Sequence, residues 1–361
     1  MGKTDLWKKY CVFYERPFSE QLAYNKERMK RYFEKWKKTD LARMLCRNGV
    51  KRFEDVPITV YSDYPMLADF ADKISDITKK NPRRKDELLW QYYMRIGREA
   101  GAFLDRYMVE PFYFCAKTTG TTGTSKWIVH GRSFYENLTK GTAATIIIAC
   151  SDDWGKTSLE DGDTALNVTA PVPYISGWGA VAFQSHLKLL PPLEVTDNLR
   201  DMRRKFLILL KAIERGNKTD VGGGIGSLFY MICKYFVNPE EFFREYYRSM
   251  SFGTKKMLLL LKLGLLKLRG RRKRDIREYL PLKGVIVGGM DAQLYLEFFK
   301  REFRLDPLHC YGSTEAGNLM RGDPDRKSDL VPDLRTDYLE FKTEDGEIRD
   351  LDELKKGEVY D

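Results

Sequence analysis

The stretch Lys117-Thr118-Thr119-Gly120-Thr121-Thr122-Gly123-Thr124-Ser125-Lys126 is a run of hydroxyl side chains and glycines that ends on a lysine. It carries almost no apolar surface and so has little to offer a core. It is suited instead to wrapping an anion. Glycine lets backbone N–H groups come close to an oxyanion, and successive N–H groups form a cationic nest. The threonines add hydroxyl donors, and Lys126 adds a mobile positive charge. A chain of phosphates is the ligand such a loop fits. The spacing is not that of a Walker A loop, which needs lysine directly after its last glycine and a helix behind it. Here Thr124 and Ser125 separate Gly123 from Lys126.

Two further stretches have residues that could act on the same ligand. Tyr311-Gly312-Ser313-Thr314-Glu315 combines an aromatic face, hydroxyls and a carboxylate. An aromatic face suits a base, a hydroxyl suits a phosphate, and a carboxylate is a hard ligand for a hard cation. Gly288-Gly289 ends an apolar run. A third glycine-rich stretch, Gly222-Gly223-Gly224-Ile225-Gly226-Ser227, does not complete a dinucleotide fingerprint and is expected as a loop of close backbone approach lining a pocket.

The elements that must position these residues can be read in chain order. Leu22, Met29, Tyr32, Phe33 and Trp36 recur at helical spacing and predict a helix over 19–38. Thr39 or Asp40 can cap a second short helix that Gly49 ends. The segment 53–58 is expected as a loop entering an extended stretch, and 88–107 as an amphipathic helix interrupted near Gly97 or Gly101. The apolar runs 112–116 and 127–129 predict strands on either side of the hydroxyl-rich loop. Ser133 and Glu136 fit a capping box opening a helix to about 148. A strand is expected over 165–172, then a loop, Tyr174-Ile175-Ser176-Gly177-Trp178-Gly179. Further expectations are a helix over 228–236, a strand over 284–289, a helix over 293–303 and a strand running into the polar loop at Tyr311. Strands alternating with helices make an α/β class with layered elements, and ligands in such folds sit beyond the carboxyl ends of the strands.

The chain has 361 residues, 43% of them hydrophobic, with 62 Lys and Arg against 52 Asp and Glu. That is a globular composition with room for more than one subdomain. The formal net charge of +10 favours anionic partners without choosing among them. The six cysteines are scattered with no CxxC pair, which argues against a disulfide scaffold or a clustered zinc site and for reduced thiols in a cytoplasmic protein. No apolar run of signal-peptide length begins the chain. The apolar stretch 257–268 is too short to span a bilayer and is expected as a core helix. The basic run 269–274 leaves a nucleic-acid-binding reading as an alternative, with solvated surface as the favoured one.

The stretch Thr118 to Gly123 with Lys126 resembles the phosphate loop of the adenylate-forming superfamily, which holds acyl- and aryl-CoA ligases, luciferases and acyl-acid amido synthetases. Ser125 stands where that pattern has proline, and Trp127 where it has glycine. Tyr311-Gly312-Ser313-Thr314-Glu315 is similar to the family's Tyr-Gly-x-Thr-Glu signature, and Gly288-Gly289 to its intervening glycine pair. The segment 56–61 and the Lys126-Trp127 junction place the resemblance near the phenylacetate-CoA ligase branch and the auxin-responsive-promoter branch of amido synthetases, with a slight lean to the latter.

The resemblance implies a large adenylation domain of layered sheets and helices with a helical N-terminal lead-in. Residues 1–105 would be the helical segment packed on the core. Residues 106–361 would be the AMP-binding core, ending before the family's small C-terminal domain. The implied activity is ATP-dependent conversion of a small carboxylic acid to an acyl-adenylate, with later transfer to an amino acid's amine or to CoA. A nucleotide-binding protein without full turnover is the alternative, and no nucleic-acid partner is implied. By resemblance, Lys126, Thr314 and Glu315 act on the phosphates, with Glu315 holding magnesium. Tyr311 would stack on adenine. Thr118, Thr119, Gly120, Thr121, Thr122, Gly123, Gly288, Gly289, Gly312 and Ser313 would border ATP, and Tyr174 and Trp178 are candidates for the acyl pocket. None of His130, His186 and His309 is given a role.

Overall fold

Val285, Ile286 and Val287 form an uninterrupted apolar run, the pattern of a strand covered on both faces. The computed structural model, which describes residues 3–119, 125–184, 186–197, 202–248, 275–289 and 291–360, places this run at the centre of a mixed sheet. In chain order the strands are β1 (Phe112–Lys117), β2 (Trp127–Gly131), β3 (Thr164–Leu166), β4 (Lys188–Leu190), β5 (Val221–Ile225), β6 (Gly284–Gly288), β7 (Leu308–Ser313), β8 (Gly317–Arg321), β9 (Val331–Pro332), β10 (Glu340–Lys342) and β11 (Ile348–Asp350). Among the described residues, seven of these form one sheet in the order β4-β3-β5-β6-β7-β8-β9. The pairs from β4 to β7 are parallel, and β8 and β9 add antiparallel strands. The hairpins β1-β2 and β10-β11 stand apart from it.

Helices cover both faces of the sheet. On one side the helices Gly226–Val237 and Leu296–Phe303 bring Phe229, Phe299 and Phe303 into a stacked aromatic core with Val285 and Val287. On the other, Arg132–Ala149 lays Ala143, Ile147 and Ile148 against Val221 and Leu308, and the N-terminal helix Lys3–Tyr10 adds Leu6 and Trp7. The helices Pro65–Lys80 and Leu89–Gly101 make a third core with the β1-β2 hairpin, in which Phe70, Ile96 and Leu104 meet Phe112 and Cys115. Residues on both sides of position 105 share that core.

Several expected elements form with small shifts. The first long helix runs Phe18–Trp36, and its buried Asn25 donates to the carbonyls of Leu334 and Asp337 at 2.7 Å each. Thr39 caps the helix Asp40–Leu45 by accepting from Ala42 N at 3.2 Å, and Gly49 lies four residues past its end. The helix expected over 88–107 passes through Gly97 and tightens to a 3₁₀ turn, Ala102–Tyr107. The strand expected over 165–172 stops at Leu166; Asn167 N still donates to the Leu190 carbonyl at 2.7 Å, and beyond it Lys205 Nζ donates to the Asn167 side-chain oxygen at 3.0 Å and the Thr169 carbonyl at 2.5 Å. The capping box at Ser133 does not form. The helix begins at Arg132, Glu110 accepts from Ser133 N at 2.9 Å, and Glu136 instead meets Arg132. Sequence reading had no counterpart for the helices Lys3–Tyr10 and Pro65–Lys80.

Two glycine-bearing stretches differ from expectation. The stretch from Tyr174 is not a loop: Ile175–Phe183 is a helix with Tyr174 at its N-cap. Gly177 permits it, since a Cβ there would lie 2.4 Å from Val172 N. The triple glycine 222–224 is not a loop either but the body of β5. Its close approach is real: Gly223 has φ +130°, and a Cβ on it would fall 1.9 Å from the Ile286 carbonyl oxygen of β6. Gly223→Ala is therefore expected to cost about 3 kcal/mol or more, because backbone must move to admit it. Soluble yield and the thermal unfolding midpoint would show it. The apolar stretch 257–268 and the basic run 269–274 lie outside the described residues. Among the described residues no helix is long and apolar enough to cross a membrane. All six cysteines are free thiols.

Candidate active site

The hydroxyl-rich loop joins two antiparallel strands, so its ends are fixed by pairing. Lys117 stands opposite Trp127, Thr118 N donates to the Lys126 carbonyl at 2.9 Å, and Lys126 N donates to the Thr118 hydroxyl at 2.9 Å. Thr118 and Lys126 thus close the base of the loop, and Thr119 is exposed just beyond it. Gly120, Thr121, Thr122, Gly123 and Thr124 lie outside the described residues. The Lys126 side chain is exposed, with Nζ 5.0 Å from the centroid of the Tyr61 ring. Tyr61 also donates its hydroxyl to the Trp127 carbonyl at 3.2 Å.

The other two stretches lie at the carboxyl ends of adjacent parallel strands, where ligands of α/β sheets bind. Gly288 closes β6, between Ile225 of β5 and Cys310 of β7, and Gly289 follows with φ +106°. Tyr311, Gly312 and Ser313 end β7. Thr314, Glu315 and Ala316 then turn into β8, with Ala316 N donating to the Ser313 hydroxyl at 3.1 Å. Tyr311 is 41% exposed. Glu315 is exposed too, and no lysine or arginine among the described residues pairs with it.

One residue ties the two halves together. His130 of β2 places Nε2 3.0 Å from the Thr314 carbonyl oxygen. Its ring stacks on Phe134 at 3.7 Å between centroids and on Phe114 at 4.9 Å. Burial lowers its pKa to about 3, so the imidazole is neutral at physiological pH.

Lys126, His130 and Glu315 all line a single cavity of about 980 Å³. Its wider walls are apolar and aromatic, from Met29, Tyr32 and Trp36 of the lead-in, Tyr61 and Tyr64, and Phe134 and Leu138. Asp337 also borders it. Burial pushes the Asp337 carboxyl up to about 6, with Asp333 adding to the rise and the Thr336 hydroxyl opposing it. Between pH 4 and 6 the folded state therefore holds a proton that the unfolded chain has lost. Stability associated with this group is present in acid and lost as pH rises through 6. Asp337→Asn should accordingly raise the melting temperature at pH 7.5, and the gain should shrink towards pH 4 in pH-resolved thermal scans.

The two proposed acyl-pocket aromatics are placed apart from this cavity. Trp178 is 1% exposed in the core, with its indole N–H donating to the Cys115 carbonyl at 2.9 Å. Tyr174 lies beside the base of the loop, where Lys117 N donates to the Pro173 carbonyl at 2.9 Å. Neither lines the cavity. Sequence reading missed Tyr61, His130, Asp337 and the wall formed by the lead-in helix, whose partners are distant in the chain. Among the described residues no cluster of three metal-ligating side chains exists.

No protein-family model and no curated protein sequence matches the chain. Solved structures do. The AtGH3.15 acyl acid amido synthetase in complex with 2,4-DB superposes over 94% of this chain and 61% of that one, with TM-score 0.56 and 12% identity. A second structure of a GH3.15 acyl acid amido synthetase covers 90% of this chain and 58% of its own, with TM-score 0.50 and 15% identity. ATP-bound MatB from Rhodopseudomonas palustris matches over 68% of this chain at TM-score 0.34, too loose a superposition to weigh. The chain thus spans less than two thirds of the length of these structures. Its helix-covered sheet, with the strand ends just described, has the α/β fold of those acyl acid amido synthetase structures.

Proposed function

We propose that this chain uses ATP to activate a carboxylic acid as its acyl-adenylate. The observation that carries the reading is that Lys126 and Glu315, from two stretches far apart in sequence, border one cavity. The acyl acid amido synthetase fold supports it. The hydroxyl-rich loop, Thr118, Thr119, Gly120, Thr121, Thr122 and Gly123, together with Lys126, would hold the β- and γ-phosphates. Gly288 and Gly289 would border nucleotide and acyl group, and Tyr311, Gly312 and Ser313 the adenine side. The Thr314 hydroxyl would meet the α-phosphate.

In the reaction, a carboxylate oxygen of the acid bonds to the α-phosphorus. The bond from that phosphorus to the oxygen bridging to the β-phosphate breaks, and pyrophosphate leaves with the electron pair. No general base is required, since the acid is already ionised at neutral pH. The chain's work is to align the two anions and to offset their charge. An exposed carboxylate with no cation partner among the described residues, Glu315, fits magnesium, an ion that takes one or two protein carboxylates and draws its other ligands from phosphates and water. When bound, magnesium would neutralise charge on the phosphates. The acyl group would then pass to an amine or to the thiol of CoA.

The cavity beyond Lys126 is the space for the organic part of the acid. Met29→Trp, on the lead-in wall, should therefore abolish exchange with bulky acids and spare small ones. ATP–pyrophosphate exchange across aryl, indolyl and fatty acids tests the reading. Exchange that depends on one class of acid is the expected result. Absence of exchange with every acid, together with no binding of ATP, would remove the proposal.

A further inference from the structure

We infer that His130 is a positioning residue: its Nε2–H holds the Thr314 carbonyl and so fixes the turn carrying the Thr314 hydroxyl and the Glu315 carboxylate against the strand that follows the phosphate loop. The inference rests on the adenylation reading for its catalytic consequence and on the geometry for the contact itself.

Three observations carry it. First, the contact joins the strand that leaves the hydroxyl-rich loop to the turn at Thr314. His130 lies on β2, the strand that begins immediately after Lys126, and the Nε2 to Thr314 oxygen distance is 3.0 Å. A carbonyl oxygen only accepts, so the proton is on Nε2. Second, the imidazole is clamped. It is 5% exposed, stacks on Phe134 within 16° of parallel and on Phe114 within 28°, and pairs in register with Phe114 across the hairpin. A ring packed against two aromatic neighbours, which also touch each other at 6.0 Å between centroids, delivers its N–H in one direction. Third, the turn it holds is short. Ser313 and Gly317 face each other across the β7-β8 hairpin, and the Ala316 N to Ser313 hydroxyl bond spans the turn. The His130 bond reaches the turn from β2, a separate element. Lys126, His130 and Glu315 line the same cavity.

The functional consequence follows from the reaction's demand for alignment. Misplacing a reacting group by about 1 Å can cost about 100-fold in rate. A hydrogen bond that sets the position of Thr314 relative to Lys126 therefore bears on ATP handling, while a histidine that merely filled the core would not.

The experiment compares His130→Phe, which keeps a stacking ring and removes the donor, with His130→Gln, whose amide N–H reaches to about the same place. The expected result is that H130F melts within a few degrees of the wild type. Its dissociation constant for magnesium–ATP is expected to rise about tenfold, and its kcat for acid-dependent exchange to fall about 10- to 100-fold, with KM for the acid unchanged. H130Q is expected to recover most of both losses. Wild-type ATP affinity and kcat in H130F would overturn the inference. So would an H130Q protein as impaired as H130F at equal melting temperature, since the donor would then not be the cause. If the wild type shows no exchange, adenylation itself fails as a reading. The ATP dissociation constants of the same three proteins then decide the His130 contact alone: weakened in H130F and restored in H130Q supports it, and equal in all three overturns it.

Discussion

Lys126→Ala is expected to lower kcat/KM for acid-dependent ATP–pyrophosphate exchange by about 100- to 1,000-fold, the cost of removing one preorganised charge from a phosphoryl-transfer site. The melting temperature should hardly change. The Lys126 ammonium is exposed and lies over the face of the Tyr61 ring. A cation–π contact at an exposed site contributes about 0.5–1 kcal/mol. A large loss of rate with little loss of stability separates a catalytic role from a structural one. Exchange kinetics and thermal scans on the same preparation would show both. Tyr61 is the control, because it holds the lysine without facing the phosphates through a charge of its own. A Lys126→Ala protein with wild-type exchange would mean that the loop does not act on the nucleotide through this residue.

The second large effect concerns stability. Asp333→Ala is expected to destabilise the chain by about 3–5 kcal/mol, because it leaves a buried arginine without its counter-ion. Asp333 is fully buried and receives Arg321 at 2.7 Å and the Tyr14 hydroxyl at 2.9 and 3.0 Å. Arg321 in turn lies over the Tyr14 ring at 4.1 Å, and Arg335 over the same ring at 4.9 Å. Burial alone would push the Asp333 carboxyl up. The guanidiniums of Arg321 and Arg335 more than offset it and hold the group below the ordinary carboxylate range. A depressed carboxyl contributes stability that is complete above about pH 4 and is lost in more acidic solution. The deficit of D333A should thus be constant from pH 5 to 8 in urea unfolding. Replacing Arg321 and Asp333 together by apolar residues of similar volume should restore much of it. Because Tyr14 belongs to the N-terminal lead-in and Asp333 follows β9, this cluster is also what fastens the lead-in to the sheet. Asn25 does the same one helix further on.

Much of the scaffold is legible where local chemistry and tertiary demand agree. The apolar runs of β1 and β6 read as strands because each is mostly buried, the half-buried β2 reads from its short apolar run, and the helix Phe18–Trp36 reads from its periodicity. The hydroxyl-rich loop and the turn at Thr314 are legible because their composition suits nothing apolar. The rest fails for identifiable reasons. Gly222, Gly223 and Gly224 have no side chains to show a strand pattern, and only distant neighbours explain them: Leu282 and Phe229 at Gly222, the Ile286 backbone at Gly223 and Val168 at Gly224. Ile175–Phe183 is helical although it holds two glycines, Gly177 and Gly179, since packing against Pro171 and Val172 outweighs propensity. Pro65–Lys80 was readable: proline at the first helical position, then Met66, Phe70, Ile74 and Ile77 on one face. His130 and Tyr61 were not. Each gains meaning from one contact, with Thr314 and with Lys126, that only the folded topology creates.

The central claim is that an oxygen of the acid becomes bonded to the α-phosphorus of ATP. The direct measurement is to supply the acid with its carboxylate labelled in ¹⁸O, trap the activated acyl group with hydroxylamine, and weigh the released AMP by mass spectrometry. The account predicts AMP carrying one ¹⁸O, formed in step with the hydroxamate and with pyrophosphate. Hydroxamate accompanied by ADP and labelled inorganic phosphate, or AMP without the label, would contradict it.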